Sequence, residues 1–517
     1  MTTRHEKLTI LKNSFANVVR GSASAFVAIG VPPFLTRAMS RDAYGAWALV
    51  LQLSAYVGYL DFGVQTAVAR FVAHAKELGD TDYRDRIVAT AFATLASSGF
   101  LAWIGIVVVT AFLPSMFHQL PVTLLHDVRM ALILVAGSLA IGLPASVFNG
   151  IFGGLQRNEI PAAIIGSSRL VTAVLIIWIA RHGGSLTLMG SAVASVNLAS
   201  YLLQYFMCRR EVPDLNFSLR FVSKLAAVEL FNYCISLTIW GLGLLMVTGL
   251  DLMIVGMYRF SDVAYYSVAA MAVTFFGGLY SAIFSSIFPA AAVLHARGDE
   301  LGLGRMVVVT SRYGMLLLLI TGLPLVFGAS LLLKLWVGQT YATHAALVLQ
   351  ILVVANIIRM CITPYIMAIL GSGQQKLIIL TPLLEGVTNI ACSLVGGYFL
   401  GAVGVALGTL IGAVVGLAGG LFYNVRRTVG IKFGLAEYIQ DSLLRPCWCA
   451  VPVIIVAFLL HALPELQLQM KVVLGVLGTS LSLWCFWVFG LMPHERNKLK
   501  TRAQAFLLRF QAQGSAN

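Results

Sequence analysis

Stretches of mostly apolar residues about 20 long, the length a helix needs to cross a hydrocarbon core, recur fourteen times along this chain. The first seven lie near 12–36, 43–72, 87–113, 128–152, 160–180, 187–207 and 225–250. The other seven lie near 262–290, 306–333, 343–370, 377–399, 402–424, 445–463 and 470–491. This pattern predicts an all-α polytopic membrane protein with about 14 transmembrane helices. Two runs exceed what a bilayer requires, so they project beyond it or break internally, and Gly58 and Gly63 offer places for a break. The first run carries Asn13, Asn17 and Arg20, which makes it a poor cleavable signal core and predicts a retained helix.

Composition narrows this further. The 517 residues are 59% hydrophobic and only 11% charged, against about 25% charged in soluble domains. Disordered, collagenous and soluble multidomain chains are thereby excluded. Lys and Arg number 35 and Asp and Glu 21, a formal charge of +14. If both termini are cytoplasmic, 24 of the basic residues fall on inner segments, seven on outer ones and four within helices. That asymmetry follows the positive-inside rule, so the charge is topological and does not imply nucleic acid. The tail from His494 to Asn517 interleaves Arg496, Lys498, Lys500 and Arg502 with Phe506, Leu507, Leu508 and Phe510, as in a basic helix lying on membrane lipids. The seven cysteines are scattered, and Cys447-Trp448-Cys449 has no metal or redox spacing.

A weak internal repeat accompanies the spans. His74-Ala75-Lys76 matches His295-Ala296-Arg297 at a separation of 221, Gly154 to Arg157 matches Gly373 to Lys376, and Arg209-Arg210 matches Arg426-Arg427. The expected organisation is two pseudo-symmetric six-helix lobes, 1–210 and 211–428, followed by a final helix pair and basic cytoplasmic tail over 429–517. Repeated lobes of this kind enclose a central site and open it to alternate sides. Small residues recur every fourth position at Gly404, Gly408, Gly412, Gly416 and Gly420, and at Ser191, Ser195 and Ala199, predicting close helix contacts in both lobes.

Ionisable groups are costly in hydrocarbon and so mark candidate sites. Asn13, Asn17, Arg20 and Ser24 share one helical face as a polar stripe able to line a cavity. At about 1.5 Å of rise per residue, Arg20, Asp61, Arg169, Arg359 and Glu385 fall in one layer about 12–18 Å in from the inner surface. Arg70 and Glu229 sit nearer that surface, and Asp251 near the outer one. Arg70 follows Asp61 by nine residues, half a turn round, so the two should face different ways. A cavity of this composition suits an anionic ligand, because arginine stays charged and grips phosphate oxygens bidentately. The same charges read equally as structural pairs, Arg20 with Asp61 and Arg359 with Glu385.

The chain also resembles a known group, the polysaccharide and O-antigen flippases of the multidrug/oligosaccharidyl-lipid/polysaccharide exporter superfamily. The resemblance rests on Phe34-Leu35-Thr36-Arg37-Ala38-Met39-Ser40, Tyr44-Gly45-Ala46-Trp47, Leu60-Asp61-Phe62-Gly63 and Thr66-Ala67-Val68-Ala69-Arg70. Gly153 to Arg157, Asp251 and the region of Tyr265 add to it. It implies that an undecaprenyl-pyrophosphate-linked oligosaccharide is flipped from the inner to the outer leaflet of a bacterial cytoplasmic membrane, for O-antigen or other polysaccharide assembly and beside other assembly proteins. Arg20, Asp61 and Arg70 are the positions that carry over. With the depth argument, Arg20, Asn17, Asn13, Arg169, Arg359 and Arg70 become candidate substrate residues, and Asp61 and Glu385 candidates for coupling to a proton or sodium gradient. No metal or organic cofactor is expected.

Two rivals stand beside this reading. A multidrug cation antiporter of the same fold needs an acidic cavity, whereas the buried layer here has excess arginine. A membrane glycan polymerase or ligase is expected to place its chemistry in a sizeable outer loop, and the longest here, near 114–127, has about 14 residues. The sequence also lacks a P-loop, a His-Glu-x-x-His and a Gly-x-Ser-x-Gly. A transporter rather than an enzyme is the expected class.

Overall fold

A computed structural model describes residues 27–463, 466–491, 496, 497 and 501. The first predicted span enters it only through a helix over 27–38 (α1), and the basic tail lies almost wholly outside the described residues. The chain then forms α2 (Arg41–Ala55), α3 (Val64–Leu78), α4 (Thr81–Met116), α5 (Val122–Gly154), α6 (Glu159–Arg181) and α7 (Leu186–Glu211). Next come α8 (Lys224–Leu244), α9 (Asp251–Tyr258), α10 (Val263–Phe284), α11 (Ile287–Ala296) and α12 (Glu300–Phe327). They are followed by α13 (Ala329–Trp336), α14 (Gln339–Met360), α15 (Thr363–Gly371), α16 (Leu380–Leu400) and α17 (Ala402–Ala418). Thirteen described helical stretches are long and apolar enough to cross a membrane, the last two being Leu435–Leu460 and Gln469–Gly490. Each coincides with one of the predicted runs after the first. Among the described residues there is no strand, and the protein is an all-α polytopic membrane protein.

Local chemistry sets the boundaries. Ser40, Asp80, Ser185 and Asp299 cap α2, α4, α7 and α12, each accepting an N–H from the first turn. Helices run further than hydropathy alone suggested, because capped polar turns extend them beyond the apolar core. Thus α4 ends at Met116 and α5 begins at Val122, which shortens the predicted outer loop to residues 117–121 and puts His126 on a helix. Arg312, one of the basic residues tallied on inner segments, lies well inside α12 and is buried.

Two compact units emerge. The first comprises the chain to Gly278 with Leu333–Leu352 and Ile379–Gly416. Its α16–α17 hairpin is a contact of backbone on backbone. Gly404, Gly408, Gly412 and Gly416 face Gly396, Ser393, Asn389 and Glu385 in turn, and a Cβ on any of these four glycines would overlap its neighbour. Close approach of this kind replaces the hydrophobic force that is missing in lipid. The corresponding stripe on α7 does not behave as expected. Ser195 and Ala199 are exposed, and α7 instead buries Met189, Gly190, Val193, Ala194, Ser200 and Gln204. Gly190 closes on Ala131 of α5, and Gly142 of α5 accommodates the Tyr201 ring, so the tight contact uses glycines outside the predicted register.

The second unit comprises Leu279–Leu332, Val353–Ile378 and the chain from Leu417. Buried Arg312 donates from Nε to the Asp441 carbonyl at 3.0 Å. The Tyr438 hydroxyl donates to Ser311 at 3.0 Å. In the last two spans, the Val453 N–H donates to the Ser482 hydroxyl at 3.1 Å.

The caps also correct the register of the internal repeat. Gly79 is left-handed and is followed by the Asp80 cap, and Gly298 and Asp299 repeat that turn. The spacing is therefore two residues shorter than the 221 read from sequence. The α17 glycines generate a first prediction: Gly404→Val should lower stability by about 1–3 kcal/mol, as forced overpacking does. A lower melting temperature in detergent than that of an Ile411→Val control on the exposed face would register it.

Candidate functional site

The long span Arg41–Leu78 breaks where Gly58 and Gly63 suggested. After α2 the chain tightens into a 3-10 turn over Tyr56–Asp61, passes through left-handed Phe62 (φ 51°) and Gly63 (φ 77°), and re-enters an α-helix at Val64. Glycine takes that conformation freely, whereas phenylalanine is strained in it. Gly63 has a second reason to lack a side chain, because a Cβ would come within 2.9 Å of Leu237 on α8.

Asp61 stands at this break, half-buried. Its carboxylate accepts the Ser146 hydroxyl of α5 at 2.9 Å and the Gln65 backbone N–H at 3.5 Å. Thr238 of α8 donates to the carbonyl of Phe62 at 3.2 Å, meeting an acceptor freed by the broken helix. Gly58, Tyr59, Asp61, Phe62 and Gly63 line a cleft of about 140 Å³ closed from the other side by α8, including Leu237 and Thr238.

A second irregularity faces the first. Beyond α8 the helix widens into a π turn over Leu245–Gly249 before α9 begins at Asp251. The Gly249 carbonyl accepts from Gln52 at 2.8 Å and from the Tyr56 hydroxyl at 2.5 Å. Asn389 of α16 donates to the Val247 carbonyl at 2.7 Å. The buried Asp251 carboxylate accepts from Asn389 at 3.2 Å, from Tyr266 of α10 at 3.1 Å and from Thr409 of α17 at 3.1 Å. Ser393 donates to the Asn389 amide oxygen at 3.0 Å. π turns and discontinuous helices are where membrane transporters expose backbone and carboxylate oxygens to a ligand or ion.

The predicted charges distribute as follows. Arg20, Asn17 and Asn13 lie outside the described residues. Arg70 is exposed on α3 and stacks on the Tyr233 ring at 5.0 Å, away from the bonds made by Asp61. Arg169 is exposed on α6, and Arg359 is half-buried on α14. Glu385 is buried on α16, one turn before Asn389, in space left by Gly416. Asp251 was visible as a buried charge but had been set near the outer surface. Its partners are single residues on three helices, Tyr266 of α10, Asn389 of α16 and Thr409 of α17, a pattern without a motif. Arg312 falls inside the predicted run 306–333 but was tallied with the basic residues of the inner segments, so its burial was missed.

A family model described as "Polysaccharide biosynthesis protein" matches residues 10–295. The chain is 23% identical over 413 residues to the uncharacterized membrane protein EpsK of Bacillus subtilis (strain 168), covering 79% of this chain and 80% of that one. It is 20% identical over 397 residues to a putative O-antigen transporter of Shigella flexneri, covering 74% and 90%. Among solved structures it is similar in fold to the lipid II flippase MurJ in an inward closed conformation, with a TM-score of 0.67, 12% identity and coverage of 93% and 98%.

The break at Phe62–Gly63 carries its own prediction. Gly63→Ala combines a strained φ with the Leu237 overlap and should cost about 1–3 kcal/mol. Leu237→Gly in the same chain, which removes the Cβ and Cδ1 that the new side chain meets, should recover part of it. A double-mutant cycle of melting temperatures measures the coupling, and strict additivity would remove the contact as the cause.

Proposed function

Since the chain belongs to the polysaccharide biosynthesis protein family, we propose that it flips an undecaprenyl-pyrophosphate-linked oligosaccharide from the cytoplasmic to the periplasmic leaflet. It would do so by alternating access, in a bacterial inner membrane with both termini cytoplasmic. The fold is shared with a lipid flippase, and a curated relative is named as a putative O-antigen transporter. The observation that carries the reading is the pair of broken helices, α2–α3 and α8–α9, joined through the Gly249 carbonyl. Broken helices at the site are how transporters present polar backbone within a membrane while the rest of each helix stays satisfied.

In this reading Arg20, with Asn13 and Asn17 on its face, holds the pyrophosphate while the polyprenyl tail stays in lipid. Arg70, Arg169 and Arg359 extend the cationic path. Repeated lobes over 1–210 and 211–428 rock about the site, and the final pair over 429–517 anchors the assembly. A proton or sodium gradient drives the cycle through Asp61 and Glu385. Asp251 joins them, because a carboxylate ringed by hydroxyl and amide groups can exchange a proton or a cation for its donors.

The test is translocation of a defined lipid-linked oligosaccharide in proteoliposomes, with and without an imposed gradient. Arg20→Ala should abolish translocation while leaving the amount of protein in the membrane unchanged, and normal translocation by that variant overturns the proposal. Asp251→Asn should remove at least tenfold of the gradient's acceleration and leave the gradient-free rate near wild type. Asp61→Asn should do the same. Full gradient response in either variant excludes that carboxylate from coupling.

A further inference from the structure

The internal repeat provides a built-in comparison for a second site, in the unit that contains α11, α12 and α15. Using the caps as register, 74–86 corresponds to 293–305. The turns after α5 and α15, where left-handed Gln156 and Gly373 occupy the same position, align 155–159 with 372–376 and 209–215 with 426–432. The first set of segments holds six Lys and Arg against seven Asp and Glu. The second holds six Lys and Arg against only two carboxylates, Asp299 and Glu300.

Three of the missing acids, Asp85, Glu211 and Asp214, form ion pairs at the first junction. There, Arg84 pairs with Asp85 at 2.8 Å and with Asp214 at 3.1 Å, and Arg157 pairs with Glu211 at 3.2 Å. The Arg84 hydrogen bond holds the Asp214 carboxyl below the usual range. In the second copy Asp214 is replaced by Ile431 and Glu211 by Thr428. The Arg157–Glu211 pair becomes a neutral bridge, in which Gln374 donates to the Val429 carbonyl at 2.6 Å and accepts its N–H at 2.8 Å. Lys432 pairs with Glu300 at 2.7 Å, and Arg427 stacks on Tyr423 at 4.5 Å. Among the described residues, Arg297, Arg305, Lys376 and Arg426 make no ion pair.

Where those segments meet there is a cleft of about 330 Å³, lined by His295, Gly298, Glu300, Gln374, Val429 and Gly430, with Leu377 beside them. That volume falls at the lower end of small-ligand sites. Each lining segment brings a cation within two residues: Arg297 beside Gly298, Lys376 beside Leu377, Arg427 before Val429 and Lys432 after Gly430. Left-handed Gly430 leaves room beside the His295 ring and the Glu300 carboxylate.

We propose that this cleft binds a phosphate ester that also carries free hydroxyls, such as a glycerol phosphate group. The cations that flank the lining segments raise the local potential and attract the phosphate, and Glu300, paired with Lys432, accepts a ligand hydroxyl. The ligand comes either as the headgroup of an anionic lipid or as a free polyol phosphate. This site is separate from the broken helices and does not depend on their role.

Full-length protein in phosphatidylcholine nanodiscs tests it by native mass spectrometry and melting temperature. One arm adds phosphatidylglycerol to the disc, and the other adds soluble glycerol 3-phosphate. The lipid arm alone responding assigns a headgroup site, whereas response in both arms assigns a site for the phosphate ester itself. The doubly substituted Arg297→Gln/Lys376→Gln chain should bind at least tenfold more weakly. The charge-preserving Arg297→Lys/Lys376→Arg chain should bind as wild type, which separates charge from folding. No saturable binding in either arm, or equal binding by the glutamine variant, overturns the proposal.

Discussion

A carboxylate buried within a membrane protein is costly unless it is hydrogen-bonded, and the first unit is arranged around offsetting that cost for Asp251. Three donors from three helices converge on it, from Tyr266, Asn389 and Thr409. For Asn389 and Thr409 to reach the same carboxylate, α16 and α17 must run closer than side chains permit. The glycines of α17 meet that condition. The polar group and the small-residue stripe are thus one device, since the stripe sets the distance at which the polar network closes.

The same carboxylate begins a helix after a π turn, and the turn's carbonyls need partners of their own. Gly249, two residues before Asp251, takes them from Gln52 and Tyr56. Tyr56 opens the 3-10 turn that ends at Asp61. Two hydrogen bonds therefore join the segment that runs into the Phe62–Gly63 break to the carbonyl that leads into Asp251. Two local departures from α-helical geometry become mechanically continuous, although 190 residues separate the carboxylates.

The spans were legible in the sequence because lipid leaves each crossing helix a single requirement, about 20 apolar residues. The break at Gly63 was legible because only glycine adopts its φ without strain. Asp251 was visible as an ionisable exception, but its partners were not. Asn389 and Thr409 are ordinary polar residues until α16 and α17 are brought together. Arg312 lies within the apolar run 306–333, but its burial was not legible, because the carbonyl it donates to, that of Asp441, is 129 residues away. On α7 the small-residue periodicity pointed to the wrong face, since Ser195 and Ala199 match the spacing of a packing motif yet are exposed.

Helices in contact through side chains can drift in sequence, because a larger residue on one is matched by a smaller residue on the other. Between α16 and α17 no such exchange exists: the volume at Gly404 and Gly408 is already the least a residue can have. Adaptation to a new cargo is consequently pushed onto other surfaces of the protein. This hairpin would be expected to keep its dimensions while the helices around it diverge, serving as a fixed gauge inside a molecule whose remaining contacts are free to change.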